Sequence, residues 1–199
     1  MKFVFQYLTA PTILALSQGS LRLLGLYLGL QTVFFEVGGA FLVARFAVSR
    51  HWMRKNDSVG YGLGLAFWEN AVLLSATSLV SLVFYSFTIS EGGVAANALY
   101  TILSHSQPQL FLPPYEALQL TAWGILERIS SLMAHLSWGY LCVKSATTGK
   151  KGYLYLAMPM GLIDFVVPFA GTVPISIFEI VVFMLASFCI LAAVYATKR

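Results

Sequence analysis

The feature that most limits what this chain can fold into is a series of apolar runs, each long enough to cross a bilayer at about 20 residues per crossing. Of its 199 residues, 58% are hydrophobic and 10% are charged, whereas soluble domains carry about 25% charged residues. There is too little polar surface here to cover a water-soluble core. Cys142 and Cys189 both lie inside apolar stretches and read as two buried free thiols, since a disulfide framework needs more cysteines and an oxidising compartment.

Breaks in the apolar pattern define an all-α, polytopic transmembrane bundle of about six helices forming a single membrane domain over 1–199. The expected spans are 2–17, 21–47, 60–87, 115–144, 152–169 and 175–196. The first is read as an uncleaved helix rather than a signal peptide, because one lysine is a weak charged leader, and Pro11 is a point where it can kink. Gln18-Gly19-Ser20 turns into the second span, and a basic loop over 49–58 enters the third. The one long non-basic connection, 88–114, contains Gly92-Gly93, Pro108, Pro113 and Pro114, with a short interfacial helix expected over Val94–Ser104.

Orientation follows from the distribution of Lys and Arg. Lys2, Arg45, Arg50, Arg54, Lys55, Lys144, Lys150, Lys151, Lys198 and Arg199 fall on one side of a six-span arrangement, and Arg22 alone falls on the other. That asymmetry places both termini in the cytoplasm and the protein in the plasma membrane. It also accounts for the net charge of +4 through lipid headgroups, so no nucleic-acid partner is needed.

The chemistry lies in the ionisable residues inside the spans: Glu36, Glu69, Glu127, Arg128, His135 and Asp164. A charge near the centre of a membrane helix costs about 2.5–3.5 kcal/mol on insertion scales, so these groups must face one another or water. At 1.5 Å per residue, Glu36, Glu69, His135 and Asp164 all lie about 13–18 Å from the cytoplasmic ends of their helices. Arg128 and His135 are seven residues apart and share a helix face, while Glu127 points about 100° away. Arg128 is therefore expected to have a carboxylate within hydrogen-bonding reach, which Glu36, Glu69 or Asp164 could supply.

Other polar and small residues have plainer roles. Glu179, near the outer end of its helix, reads as interfacial, His51 and His105 as loop residues, and Trp52 as part of the headgroup belt. Gly60, Gly62, Gly64 and Ala66, and likewise Gly38-Gly39-Ala40, read as close-packing faces. Pro159 and Pro168 are expected to distort the fifth span around Asp164. Without a lysine at mid-membrane a retinal Schiff base is excluded, and a single histidine in the spans excludes bis-His haem.

Phe35-Glu36 with Arg45, Gly62-Leu63-Gly64-Leu65-Ala66-Phe67-Trp68-Glu69, Glu127-Arg128 with His135, and Met160-Gly161-Leu162-Ile163-Asp164 together resemble the motifs of the YhfC-type intramembrane metalloproteases. The resemblance extends to the superfamily of PrsW and CAAX-processing (CPBP-type) proteases. His135-Leu136-Ser137-Trp138-Gly139 is similar to a stretch of the APH subunit of gamma-secretase, a non-catalytic relative. The chain departs from the pattern where the family places histidines one turn before the acids: here stand Leu65 and Met160. Val37 follows Glu36 where the family has a second acid.

The resemblance with this depletion implies a scaffold or partner-binding subunit of a membrane complex, whose partners are lipids and the helices of another membrane protein. An active peptidase using a reduced Glu/His site is one alternative, with Glu36 activating water and His135 polarising a carbonyl. A proton-coupled transporter or channel is the other. No cofactor and no tightly bound zinc are expected, because one histidine with carboxylates is a poor zinc site. The orientation predicts that cysteines placed in the 48–59 and 145–151 loops, at Ser58 and Thr148, escape an impermeant thiol reagent added to intact cells; labelling at both overturns it.

Overall fold

The computed structural model describes residues 2–91 and 93–198; Gly92 and Arg199, which enter the loop and charge readings above, lie outside the described residues. The elements are α1 (Lys2–Ser17), α2 (Leu21–Ser49), α3 (Lys55–Ser90), α4 (Val94–Ser106), α5 (Pro114–Thr148), α6 (Lys151–Phe169) and α7 (Ile175–Lys198), and no strand is present among the described residues. A helical membrane bundle is therefore the fold class. By length and composition α2, α3, α6 and α7 can each cross a membrane. The 16-residue α1 is short, and the 35-residue α5 carries the polar load of Glu116, Glu127, Arg128, His135 and Lys144. The expected interfacial helix is α4, which extends two residues further and takes His105 out of the loop.

α5 is the central post. Pro114 occupies its first turn, where a missing N–H costs nothing, and Gly149 ends it in the left-handed conformation, φ +70°, with its N–H donating to the Ser145 carbonyl. The inner halves of α2 and α3, together with α6 and α7, all pack on α5, while the outer half of α2 lies along the distorted part of α6. The buried cluster includes Val37, Ala134, Trp138, Leu141, Cys142, Ala157, Met160 and Cys189. Leu42, Leu79, Phe188 and Leu191 stay exposed on the outside, as befits side chains that meet lipid.

Small residues set the closest approaches, though not all those expected. A Cβ added to Gly139 would stand 2.7 Å from the Gly62 Cα, so α3 and α5 touch backbone to backbone there. Ala66, one turn on, is buried in the same seam. Gly60, Gly64 and Gly39 have no neighbour within 4 Å, because they lie on the other faces of their helices; of the Gly38-Gly39-Ala40 group only Ala40 is buried. The glycines that bring α2 against α6 are instead Gly25 and Gly29, one turn apart, with Gly161 facing Val33.

Three spans leave regular α geometry at the level of the polar residues. α2 widens into a π-helical turn over Thr32–Gly38, α3 does so over Trp68–Leu73, and α6 tightens into a 3-10 segment over Met158–Phe169. The last is the distortion expected from Pro159 and Pro168. The backbone loosened in α2 is tied by side chains: the Tyr61 hydroxyl donates to the Ala40 carbonyl at 2.7 Å, and the Cys142 thiol to the Val37 carbonyl at 3.6 Å.

Ser58 is buried, its hydroxyl donating to the Lys55 carbonyl, so Lys55 is the better labelling position in that loop. Gly139→Val is expected to lower stability by about 1–3 kcal/mol, the usual cost of overpacking, whereas Gly60→Ala leaves it unchanged. Thermal unfolding in mild detergent measures both; equal midpoints for the two variants would refute the backbone contact.

Candidate functional site

All six ionisable residues singled out from the sequence line one cavity of about 150 Å³ between α2, α3, α5, α6 and α7. The remaining wall is Ser131, Ala134 and Trp138 of α5 with apolar side chains of α6 and α7. A polar cavity of this size has room for several waters.

His135 is its centre. Nδ1 lies 2.8 Å from the Ser131 carbonyl oxygen; a carbonyl can only accept, so Nδ1 carries the hydrogen and donates it. That bond fixes the ring and turns Nε2 into the cavity. Trp138 closes the other side, ring centroids 4.4 Å apart. Nε2 meets two carboxylates from two helices, Glu69 Oε2 at 2.5 Å and Glu36 Oε2 at 3.4 Å. Both acids stand in the π-helical turns of their helices, a distortion that recurs at functional sites.

Arg128 does not pair with Glu36, Glu69 or Asp164. Its guanidinium forms an ion pair with the neighbouring Glu127 and donates to Asn70 Oδ1 at 3.2 Å. Helix-face geometry compares where side chains leave the backbone, and these two are long enough to curl together around the cavity rim. Glu36 and Glu69 are turned toward His135 instead. Asp164 accepts a hydrogen bond from the Thr32 hydroxyl across the α2–α6 seam.

Uncharged polar residues complete a network that charge alone did not reveal. Asn70 donates to Ser131 Oγ at 3.3 Å and to the Ala66 carbonyl at 2.9 Å. Ser131 Oγ lies 3.3 Å from His135 Nδ1. Arg128 is thereby linked through Asn70 and Ser131 to the imidazole. Ser131 stands one turn before His135, Thr32 one turn before Glu36, and Asn70 directly follows Glu69, which are the sequence signals that point to them. Glu179, read from the sequence as interfacial, is buried within the bundle: it is 4% exposed and its Oε2 has no hydrogen-bond partner among the described residues. α5 begins 13 residues before Glu127, about 20 Å further out, so the first turns of α7 lie below its outer end.

The donor set can be tested against a metal ion. His135 and the carboxylates of Glu36 and Glu69 offer one ligand atom each, all within 4.8 Å of one another. Zinc bonds of about 2.0–2.2 Å hold neighbouring ligand atoms about 3.3 Å apart. The Glu36–His135 separation meets that, and the Glu69–His135 separation is a hydrogen-bond length that opens by a small rotation of the carboxylate. An imidazole whose second nitrogen donates to a carbonyl is the usual outer support of a metal ligand. The residue types alone argue against tight zinc binding, but the spacing of these three ligand atoms on an open cavity fits a divalent ion.

The fold and site define a polytopic membrane protein with a buried His–carboxylate centre in its bundle. A protein-family profile described as YhfC intramembrane metalloprotease matches residues 3–194. The chain belongs to that family. It is also similar to the uncharacterized membrane protein YhfC of Bacillus subtilis (strain 168), 30% identical over 119 residues that cover 56% of this chain and 43% of that protein. The chain thus spans under half the length of this curated relative. No solved structure matches it.

The network predicts that Thr32→Val, which removes the hydroxyl that donates to Asp164, costs about 1–3 kcal/mol, while Thr32→Ser retains most of the stability. Thermal unfolding of the two variants decides it, and identical behaviour would remove Thr32 from the site.

Proposed function

We propose that this chain is a metal-dependent intramembrane peptidase, built as a six-crossing bundle with both termini cytoplasmic. Its ion would be held by Glu36, Glu69 and His135. The observation that carries the reading is the convergence of these three ligand atoms from three helices on one cavity, with His135 Nδ1 tied to the Ser131 carbonyl. The family membership supports it, and a kinship with PrsW and CAAX-processing proteases and with the APH subunit of gamma-secretase belongs to the same proposal.

When bound there, a zinc-class ion supplies Lewis acidity toward a peptide carbonyl and a water. The remaining chemistry falls to the chain. Asp164, held by Thr32 on the opposite wall, takes a proton from water as its oxygen adds to the carbonyl carbon. Arg128, fixed by Glu127 and Asn70 on the rim, offers N–H donors to the oxygen that gains charge. The C–N bond then breaks, and the proton taken by Asp164 passes to the leaving nitrogen. Trp138 and the apolar side chains of α6 and α7 keep bulk lipid and solvent from the reacting groups.

A second reading, a scaffold that binds partner helices, is favoured by one observation. Leu65 and Met160, standing where the family places histidines, are part of the apolar core and line no part of the cavity. In that case a proton on Nε2 replaces the ion between the two carboxylates. No specific observation favours the transporter.

Purified protein is expected to carry about one divalent ion per chain, the ratio of a single three-ligand site, read by plasma mass spectrometry. His135→Ala and Glu69→Gln should lose the ion; Asp164→Asn should keep it and lose cleavage of a membrane-spanning reporter peptide. A metal-free wild-type protein after purification with added zinc would overturn the peptidase and leave the scaffold.

A further inference from the structure

A second, larger cavity of about 720 Å³ lies between α3, α5 and α7 and shares the Glu127–Arg128 pair with the first. It exists because the outer half of α3, Leu74–Ser90, stands off the bundle with no buried residue. Along α5 the apolar Leu120, Ile125 and Leu132 flank the Glu127–Arg128 pair, with Asn70 and Glu179 beside the pair and Gln107, Gln109 and Thr121 adding uncharged polar groups to the wall. The charged part of the lining carries two carboxylates and one guanidinium. Arg128 is already committed to Glu127 and Asn70. Glu179 is the acid left over: it lines this cavity, is 4% exposed, and its Oε2, shielded from solvent, has no hydrogen-bond partner among the described residues.

A carboxylate in such surroundings takes up a proton unless a cation meets it, and an entering cation would displace that proton. A bare divalent ion is not served, since a hard cation takes six or more oxygen ligands. The combination of an apolar channel and one buried acid matches a lysine or arginine side chain, whose methylene stem takes the apolar wall while its head reaches the acid. We propose that this cavity is a specificity subsite in which Glu179 binds a lysine or arginine side chain of the segment to be cleaved. Naming the occupant as substrate rests on the peptidase reading; the binding of an alkyl cation does not.

The test uses octylguanidinium as probe and octanol as the uncharged control, with the full chain in nanodiscs of lipids lacking primary amines. The readout is the thermal unfolding midpoint, which rises as a ligand saturates the folded state. Octylguanidinium should raise it saturably, octanol should not, and Glu179→Gln should weaken the apparent affinity at least tenfold, with Glu179→Asp as the alternative variant should Gln prevent folding. Glu36→Gln should bind as wild type, although it disturbs the metal centre, so failure of the subsite and failure of the peptidase appear in different measurements. No saturable binding, equal effects of the cation and the alcohol, or wild-type affinity in both Glu179 variants would overturn the subsite. Loss of probe binding on adding phosphatidylethanolamine would assign the acid to a lipid amine and overturn the substrate assignment.

Discussion

Hydrocarbon does not solvate charge, and α5 brings an arginine, a glutamate and a histidine into it. Everything that surrounds α5 is arranged around that fact. A helix with this load cannot face lipid on its polar side, so α2, α3, α6 and α7 close over it. Gly62 and Gly139 let α3 approach to backbone contact, which carries the Glu69 side chain to His135. Gly25, Gly29 and Gly161 do the same for α2 and α6, which brings Thr32 to Asp164. Packing between apolar faces has little driving force of its own in lipid. The polar network and the small-residue seams together take its place.

Helical distortion is the second device. A π turn inserts a residue into the helical ladder and rotates the turns beyond it, so a side chain can be re-aimed without moving the whole helix. Both acids that meet His135 stand in such turns, and Asp164 stands in a 3-10 stretch. The ladder is locally weakened in each case, and side chains such as Tyr61, Cys142 and Asn70 donate to carbonyls in or beside these turns. Side chains near the site therefore also hold the backbone that positions it.

Much of this was legible in the sequence. Apolar runs and proline and glycine breaks mark every helix to within a few residues, because bilayer thickness and helical rise leave little freedom. Depth arithmetic brings Glu36, Glu69, His135 and Asp164 to one level, and the structure gathers them around one cavity. The partner of Arg128 was not legible: backbone directions separate Glu127 from Arg128 by about 100°, but long side chains can meet beyond the helix surface. The burial of Glu179 was not legible because depth along its own helix says nothing of how far α5 extends past it. Asn70, Ser131 and Thr32 escaped notice because uncharged polar residues are common in membrane helices. π turns leave no mark in residue periodicity, so α2 and α3 read as regular.

The placement of Arg128 has a consequence for the whole site. A guanidinium is always charged, and next to Glu36 or Glu69 it would occupy the very oxygens that face His135. A cation bound by those oxygens would then have to displace it and meet its repulsion. Glu127 draws Arg128 to the rim, and Asn70 holds its other face. The carboxylates of Glu36 and Glu69 are left to the imidazole, while the guanidinium still lines the same cavity. Glu127 therefore holds the Arg128 guanidinium apart from the Glu36, Glu69 and His135 cluster, and Glu127-Arg128, part of the family resemblance, reads as one unit: a cation brought into the bundle together with the anion that keeps it from those two carboxylates.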